Sequence, residues 1–150
     1  MGKGKNKQPK FKEVVSTNKQ PKIGSDPQAY YQNNPAWRIS KMEFADPFGW
    51  HVLNVDKVLY IQQKLIGFES MTWREILVDS RKQNHTVSVE NLCKKARDRL
   101  AEIDLDDLDE LTSLRLSGVE RVWGILDQGI MNLLWWDPDH QVYPVEKKNT

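Results

Sequence analysis

One stretch near the C-terminus restricts the possible folds more than any other: residues 113–143, SLRLSGVERVWGILDQGIMNLLWWDPDHQVY. Leu114 and Leu116 alternate with Ser113, Arg115 and Ser117, the period-two pattern of a half-buried strand. Ser117-Gly118 interrupts the run, and glycine supplies the positive φ that tight hairpins require. Arg121 to Leu126 reads as a second strand, and Asp127-Gln128-Gly129 as a three-residue turn suited to a hairpin with a bulge. Ile130 to Trp136 is apolar at positions destined for both faces, so this third strand is expected to be central or covered on both sides.

Upstream, order is expected to begin at Trp37. Trp37, Ile39, Met42 and Phe44 suggest a first strand whose slipped alternation implies a bulge. Asp46-Pro47-Phe48-Gly49-Trp50 is a turn. Val55, Val58, Leu59, Gln62, Leu65 and Ile66 have helical spacing behind Asn54 as N-cap, which predicts a helix to about Phe68. Thr72-Trp73-Arg74-Glu75 has the form of a capping box, opening a short helix that ends near Asp79. Arg81 to Thr86 reads as a polar loop. Ser88 then caps a helix with Val89, Leu92, Cys93, Ala96, Leu100 and Ile103 on its apolar stripe and Lys94, Lys95, Arg97 and Arg99 on its other face. The acidic run Asp104 to Glu110 lacks the glycine and spacing of a calcium loop and reads as an amphipathic turn. The order of elements predicts an α+β fold: an antiparallel sheet ending in a three-stranded meander, packed against two or three helices.

A chain of 150 residues suits one domain, placed at residues 36–150, behind a disordered basic tail over residues 1–35 that folding does not need. The tail reads either as an arm for a polyanion or as a solubilising extension. The net charge of +1 conceals an asymmetry, since residues 1–24 hold seven lysines against Glu13 and leave the remainder at −5. A net acidic domain argues against a dedicated nucleic-acid binder but permits a local basic cleft. No apolar run approaches the ~18 residues of a membrane span, and the lysine-rich start is not followed by an apolar stretch. With the single cysteine Cys93, which permits no intrachain disulfide, this predicts a cytoplasmic protein that does not engage a membrane.

Familiar catalytic signatures are missing: there is no GxGxxG, phosphate loop, HExxH or GxSxG. His51, His85 and His140 are far apart in sequence without ligand spacing, so neither a metal site nor a cofactor is expected. His140, in Asp137-Pro138-Asp139-His140-Gln141-Val142-Tyr143, has two readings: a general acid or base beside Tyr143, or an ion-pair partner of Asp137 and Asp139. Arg115 and Arg121 flank the first hairpin turn and read as phosphate contacts or as salt-bridge partners. Trp135 and Trp136 send one indole to each side of the sheet, where both pack in the core or one stacks on a base. Cys93 is expected to be buried and inert.

Helices followed by LRLSG–ERVWGI–DQG–IMNLLWWDPDHQVYP resemble the C-terminal half of the RelE/ParE toxin superfamily, over roughly residues 88–146. The ending LWWDPDHQVYP with Lys147-Lys148 also resembles that of a group of uncharacterised small bacterial proteins. The resemblance implies a RelE-like fold and a toxin of a toxin–antitoxin system: a metal-independent endoribonuclease acting on ribosome-bound mRNA, with an antitoxin as partner. It implies Arg115 and Arg121 as phosphate or transition-state contacts, His140 as acid or base, and Tyr143 as a positioning or stacking residue. Lys94, Lys95, Trp136, Lys147 and Lys148 are the further candidates for nucleic-acid contact. The chain departs from the toxin pattern in being longer, net acidic in its folded part, and acidic around His140. The alternatives are a non-catalytic protein of the same fold that binds protein or nucleic acid, and a ParE-like inhibitor of another enzyme. Convergence of Arg115, Arg121, His140 and Tyr143 on one open surface separates catalysis from binding.

Overall fold

The computed structural model describes residues 29–144, so residues 1–28 of the tail expected over 1–35, and Lys147 and Lys148, lie outside it. Five strands, β1 (Ala36–Arg38), β2 (His85–Ser88), β3 (Glu110–Ser117), β4 (Glu120–Asp127) and β5 (Ile130–Asp137), form one sheet in the order β1-β5-β4-β3-β2. Two helices, α1 (Val55–Glu69) and α2 (Lys94–Glu102), and a wide helical turn at Glu75–Asp79 complete an α+β fold. The β3–β5 meander is the one read from the sequence. The sheet as a whole is mixed rather than antiparallel, because β1 runs parallel to β5 with Trp37 opposite Met131.

β1 is also shorter than the strand expected over Trp37 to Phe44. Met42 N–H donates to Ile39 O and Glu43 N–H to Leu134 O, so the chain turns away after Arg38. Ile39 and Phe44 are left exposed. β2 corrects the polar-loop reading of Arg81 to Thr86. It is an edge strand whose single apolar residue, Val87, gives no alternation to detect.

Within the meander, Gln128 and Gly129 both have positive φ (57° and 88°) and Asp127 pairs with Ile130. The turn therefore has two residues in the geometry that matches strand twist, not three with a bulge. The register shifts instead within the strands: in β3 between Arg115 and Ser117, and in β5, where it passes from Trp123 opposite Trp135 to Gly124 opposite Leu133. The β5 bulge sends both Leu134 and Trp135 towards the α2 side while Leu133 and Trp136 face α1. A side chain at Gly124 would overlap the Asn132 carbonyl oxygen, so this tight place accepts only glycine.

On the α1 side, Asn54 caps the helix by accepting Lys57 N–H at 2.8 Å, and Ile61, Leu65 and Phe68 pack towards Leu116, Val122 and Leu133. The capping box forms as read: Glu75 accepts Thr72 N–H at 2.8 Å, and the Thr72 hydroxyl accepts Glu75 N–H at 3.2 Å. It seats Trp73 and Ile76 with no exposed surface. Residues 29–35, assigned with the tail from their polar composition, pack here too. Tyr30 meets the Trp73 ring edge-on at 6.5 Å, and Asn33 O accepts Trp73 N–H at 2.9 Å. Two tyrosines in so short a segment offer no periodicity, so the sequence does not show that residues 29–35 pack on the domain.

On the opposite side, α2 starts at Lys94 rather than after Ser88. Val89–Asn91 is a single 3-10 turn, Leu92 is extended, and Cys93 is the N-cap, its Sγ accepting Ala96 N–H at 3.4 Å. Cys93 is thus half-buried at a helix end. Leu92, Ala96 and Leu100 bury against Phe48, Trp123, Leu134, Trp135 and Val142. Arg99 anchors α2 to the β1–α1 connection through a two-pronged ion pair with Glu43, at 2.9 and 2.8 Å, and Trp135 donates to the same carboxylate.

Candidate active site

Register brings together side chains that sequence keeps apart. β2 begins, β3 ends, β4 begins and β5 ends at the same end of the sheet. There His85 lies opposite Ser113, Arg115 opposite Arg121, and Arg121 opposite Asp137. Alternation puts all of them on the α2 face, since Val87, Leu111, Trp123 and Trp135 belong to the core on that side. Moving outward along each strand from that core, the side chains change from apolar to ionisable.

Asp137 builds the loop that completes the cluster. Its carboxylate is 1% exposed and accepts Trp123 Nε1–H at 3.3 Å, Gln141 N–H at 2.9 Å and Val142 N–H at 2.9 Å. The loop is pinned by its backbone, so His140 is not held as the ion-pair partner of Asp137 that one reading expected. His140 takes a positive φ of 60° and is half-buried. Tyr143 lines a cleft of about 450 Å³ with His85, Thr86, Val87, Ser88 and Asn91.

Arg121 is the electrostatic centre. Its Nη1 donates to Gly118 O at 2.7 Å and to Glu120 O at 3.1 Å, bracing the hairpin turn. Its Nε–H is buried and has no partner among the described residues. Burial and then Arg115 lower its proton affinity, Asp137 acts against them, and a guanidinium in such surroundings stays charged. Burial and the charges of Arg121 and His140 hold the His85 imidazole below its ordinary pKa, against the Arg81 backbone. His140 is lowered by burial and then by Arg121, while Asp137 pulls it back up. Neither Arg115 nor Arg121 is in an ion pair with another described residue.

The structure therefore gathers Arg115, Arg121 and His140, with Tyr143 beside His85 in the adjoining cleft. Arg115 is exposed and also borders the cleft of Lys64, Gly67, Phe68, Met71 and Gln83. Lys94 and Lys95 lie elsewhere, on a surface shared with Asp46, Asp98 and Glu102, and Lys94 is paired to Asp98 at 2.7 Å. Trp136 faces α1 on the opposite side of the sheet, and its indole N–H donates to Glu120 at 2.7 Å. Both tryptophans of the pair thus pack in the core, one on each side.

His85 is the residue that sequence reasoning missed. Spacing along the chain set the three histidines apart, and the strand that carries His85 was invisible. Its i, i+2 relation to Val87 was the one available signal. Two guanidiniums and two imidazoles, the latter with pKa lowered by burial and by neighbouring cations, thus meet at this end of the sheet. No group of three or more His, Cys, Asp or Glu among the described residues is placed to hold a metal ion. No helix among them is long and apolar enough to cross a membrane. A scan against protein-family models finds no match, and neither curated proteins nor solved structures yield one.

Proposed function

We propose that the chain is a RelE-like toxin, a cytoplasmic, metal-independent endoribonuclease acting on mRNA, with an antitoxin as its neutralising partner. The observation that carries this reading is the convergence of Arg115, Arg121, His140 and His85 on one face of the sheet. RNA cleavage without a metal needs the ribose 2′-OH deprotonated, the charge on phosphorus stabilised and the leaving oxygen protonated. The exposed guanidinium of Arg115 offers the phosphate a cationic contact, with the charge of Arg121 beside it. His140 supplies a proton-transfer group next to them, and Tyr143 a ring to position the neighbouring nucleotide.

A second reading, a non-catalytic binding protein of the same fold, is supported by a different feature. An apolar groove of about 440 Å³ opens on the α1 side between α1 and the segment after β1. Its walls include Ile39 at 70% and Phe44 at 64% exposure, an uncovered surface that suits a protein partner.

Expression without a partner, followed by cleavage assays, decides between them. Growth arrest relieved by His140→Ala and by Arg121→Ala, with both variants folded, is the expected result. Each variant should cleave ~100- to 10,000-fold more slowly than the parent. Folded protein that neither binds RNA nor cleaves translating mRNA at low salt refutes the nuclease reading and leaves the groove as the functional surface.

A further inference from the structure

We propose that a second copy of this chain occupies the apolar groove beside α1, the two copies meeting about a twofold axis at Gln62 with their α1 helices antiparallel. The proposal rests on neither functional reading, since the groove is on the α1 side of the sheet and the His85–Arg121 cluster on the α2 side.

Helix α1 has one apolar face more than its own domain uses. Ile61, Leu65 and Phe68 pack towards the sheet. Val55, Val58, Leu59, Gln62 and Ile66 form a second stripe, turned roughly 110° from the first. On it Val55 is 73% exposed and Leu59 53%. Of the eight large apolar side chains exposed among the described residues, four are on this stripe, and Ile39, Phe44 and Val52 are on the chain leading into α1. Val58, Gln62 and Ile66 line the groove from the helix, and Ile39 and Phe44 line it from the segment after β1, so stripe and groove are one surface. Those seven side chains expose on the order of 700 Å², above the ~300–600 Å² of the largest patch on an ordinary monomer and near the ~800 Å² that each partner gives to a standard interface.

The surface is also self-complementary, as a twofold contact requires. Gln62 is the one polar residue of the stripe and the midpoint of the 15-residue helix. In an antiparallel pair centred there, each Gln62 meets Gln62 of the other copy, and an amide both donates and accepts. Val58 then faces the other copy's Ile66, and Leu59 its Leu65. A single polar residue in an apolar seam fixes register and orientation, because a shifted pairing sets the amide against aliphatic side chains. Glu69, the one charged residue lining the groove, falls opposite the other copy's Val55, at the N-terminal end of that helix, where the macrodipole favours a carboxylate. The rival occupant within the chain, residues 1–28, matches less well. Residues 1–24 hold seven lysines, and the groove's one carboxylate already accepts the Trp37 indole N–H at 2.6 Å.

The test is the mass of the full chain in solution, by light scattering and sedimentation, over about 1–200 μM. The parent should reach twice its chain mass of 17.5 kDa as concentration rises. Leu59→Glu and Ile66→Glu, at exposed positions, should keep the helix content of the parent by circular dichroism. Each should dissociate at least ~100-fold more readily, because the twofold axis places every new carboxylate in the apolar seam twice. Cross-linking with a short bis-maleimide reads the register even if a glutamate variant does not fold. It uses a Cys93→Ser background, in which serine keeps the α2 cap. Gln62→Cys should link two chains and Val55→Cys should not, since seven residues of helix on either side of the axis hold the two Val55 positions ~20 Å apart. A dimer that both glutamate variants leave intact, or linkage through Val55→Cys in place of Gln62→Cys, overturns the proposal. So does a parent that stays monomeric at every concentration. In that monomer, free alkylation of the Leu59→Cys thiol assigns the groove to a different protein, and protection of it to residues 1–28.

Discussion

Replacing Asp137 should be the most costly single polar substitution in the domain. The carboxylate is buried and takes three donors: the Trp123 indole at 3.3 Å, and the Gln141 and Val142 amides at 2.9 Å each. Asp137→Ala removes all three acceptors. Gln141 is exposed, so its amide can turn to water, but Trp123 and Val142 are buried with no alternative. A bond to a charged group contributes roughly 1.5–3 kcal/mol, so losing two puts the cost at about 3–6 kcal/mol. Asp137→Asn keeps one oxygen, which serves Trp123 and Val142, but turns an amide N–H₂ towards the Gln141 N–H, at a cost of about 1–3 kcal/mol. Urea unfolding measures both. At a slope of about 2 kcal/mol per M, the midpoint should fall by roughly 1.5–3 M for alanine and about 0.5–1.5 M for asparagine, with the slope unchanged. Should both variants unfold within about 0.5 kcal/mol of the parent, the carboxylate does not hold the 137–142 loop, and the placement of His140 needs another cause.

The neighbouring strand and the first described residues make two further expectations. Leu133→Ala and Leu134→Ala should each cost ~2–5 kcal/mol, because the two side chains fill separate cores on opposite faces of β5. A nearly neutral result at either position would mean that its face is uncovered. A chain starting at Ala36 should melt below one starting at Ala29. It lacks the Tyr30–Trp73 contact, worth about 0.5–1.5 kcal/mol, and the Asn33 acceptor of Trp73 N–H, worth about 1 kcal/mol. That amounts to roughly 5–15 °C for a domain of this size. Equal melting temperatures would show that this segment adds nothing to the fold.

What could be read from the sequence follows the range of the interactions that decide it. The Asn54 cap, the Thr72–Glu75 box and the β3–β5 meander each depend on residues a few positions apart, and each is found as expected. Arg115 and Arg121 are only partly of that class: the hairpin across Ser117-Gly118 brings their strands together, but they lie opposite one another because the register shifts between Arg115 and Ser117, without which Arg115 would face Val122. β1 and β2 belong to another. A three-residue parallel strand and a four-residue edge strand have too few apolar positions for a period, and their partners lie far along the chain. Only the finished sheet places them. The β5 bulge is of this second kind as well: it lies where Gly124 lets the β5 backbone approach closely, and no local pattern reveals which strand will absorb the extra residue. The same division runs through the candidate site. Its arginines and His140 come from the locally specified meander, whereas His85 arrives on the strand that only long-range pairing defines. Half of the proposed chemistry was therefore written in neighbouring residues, and the other half in the order of the strands.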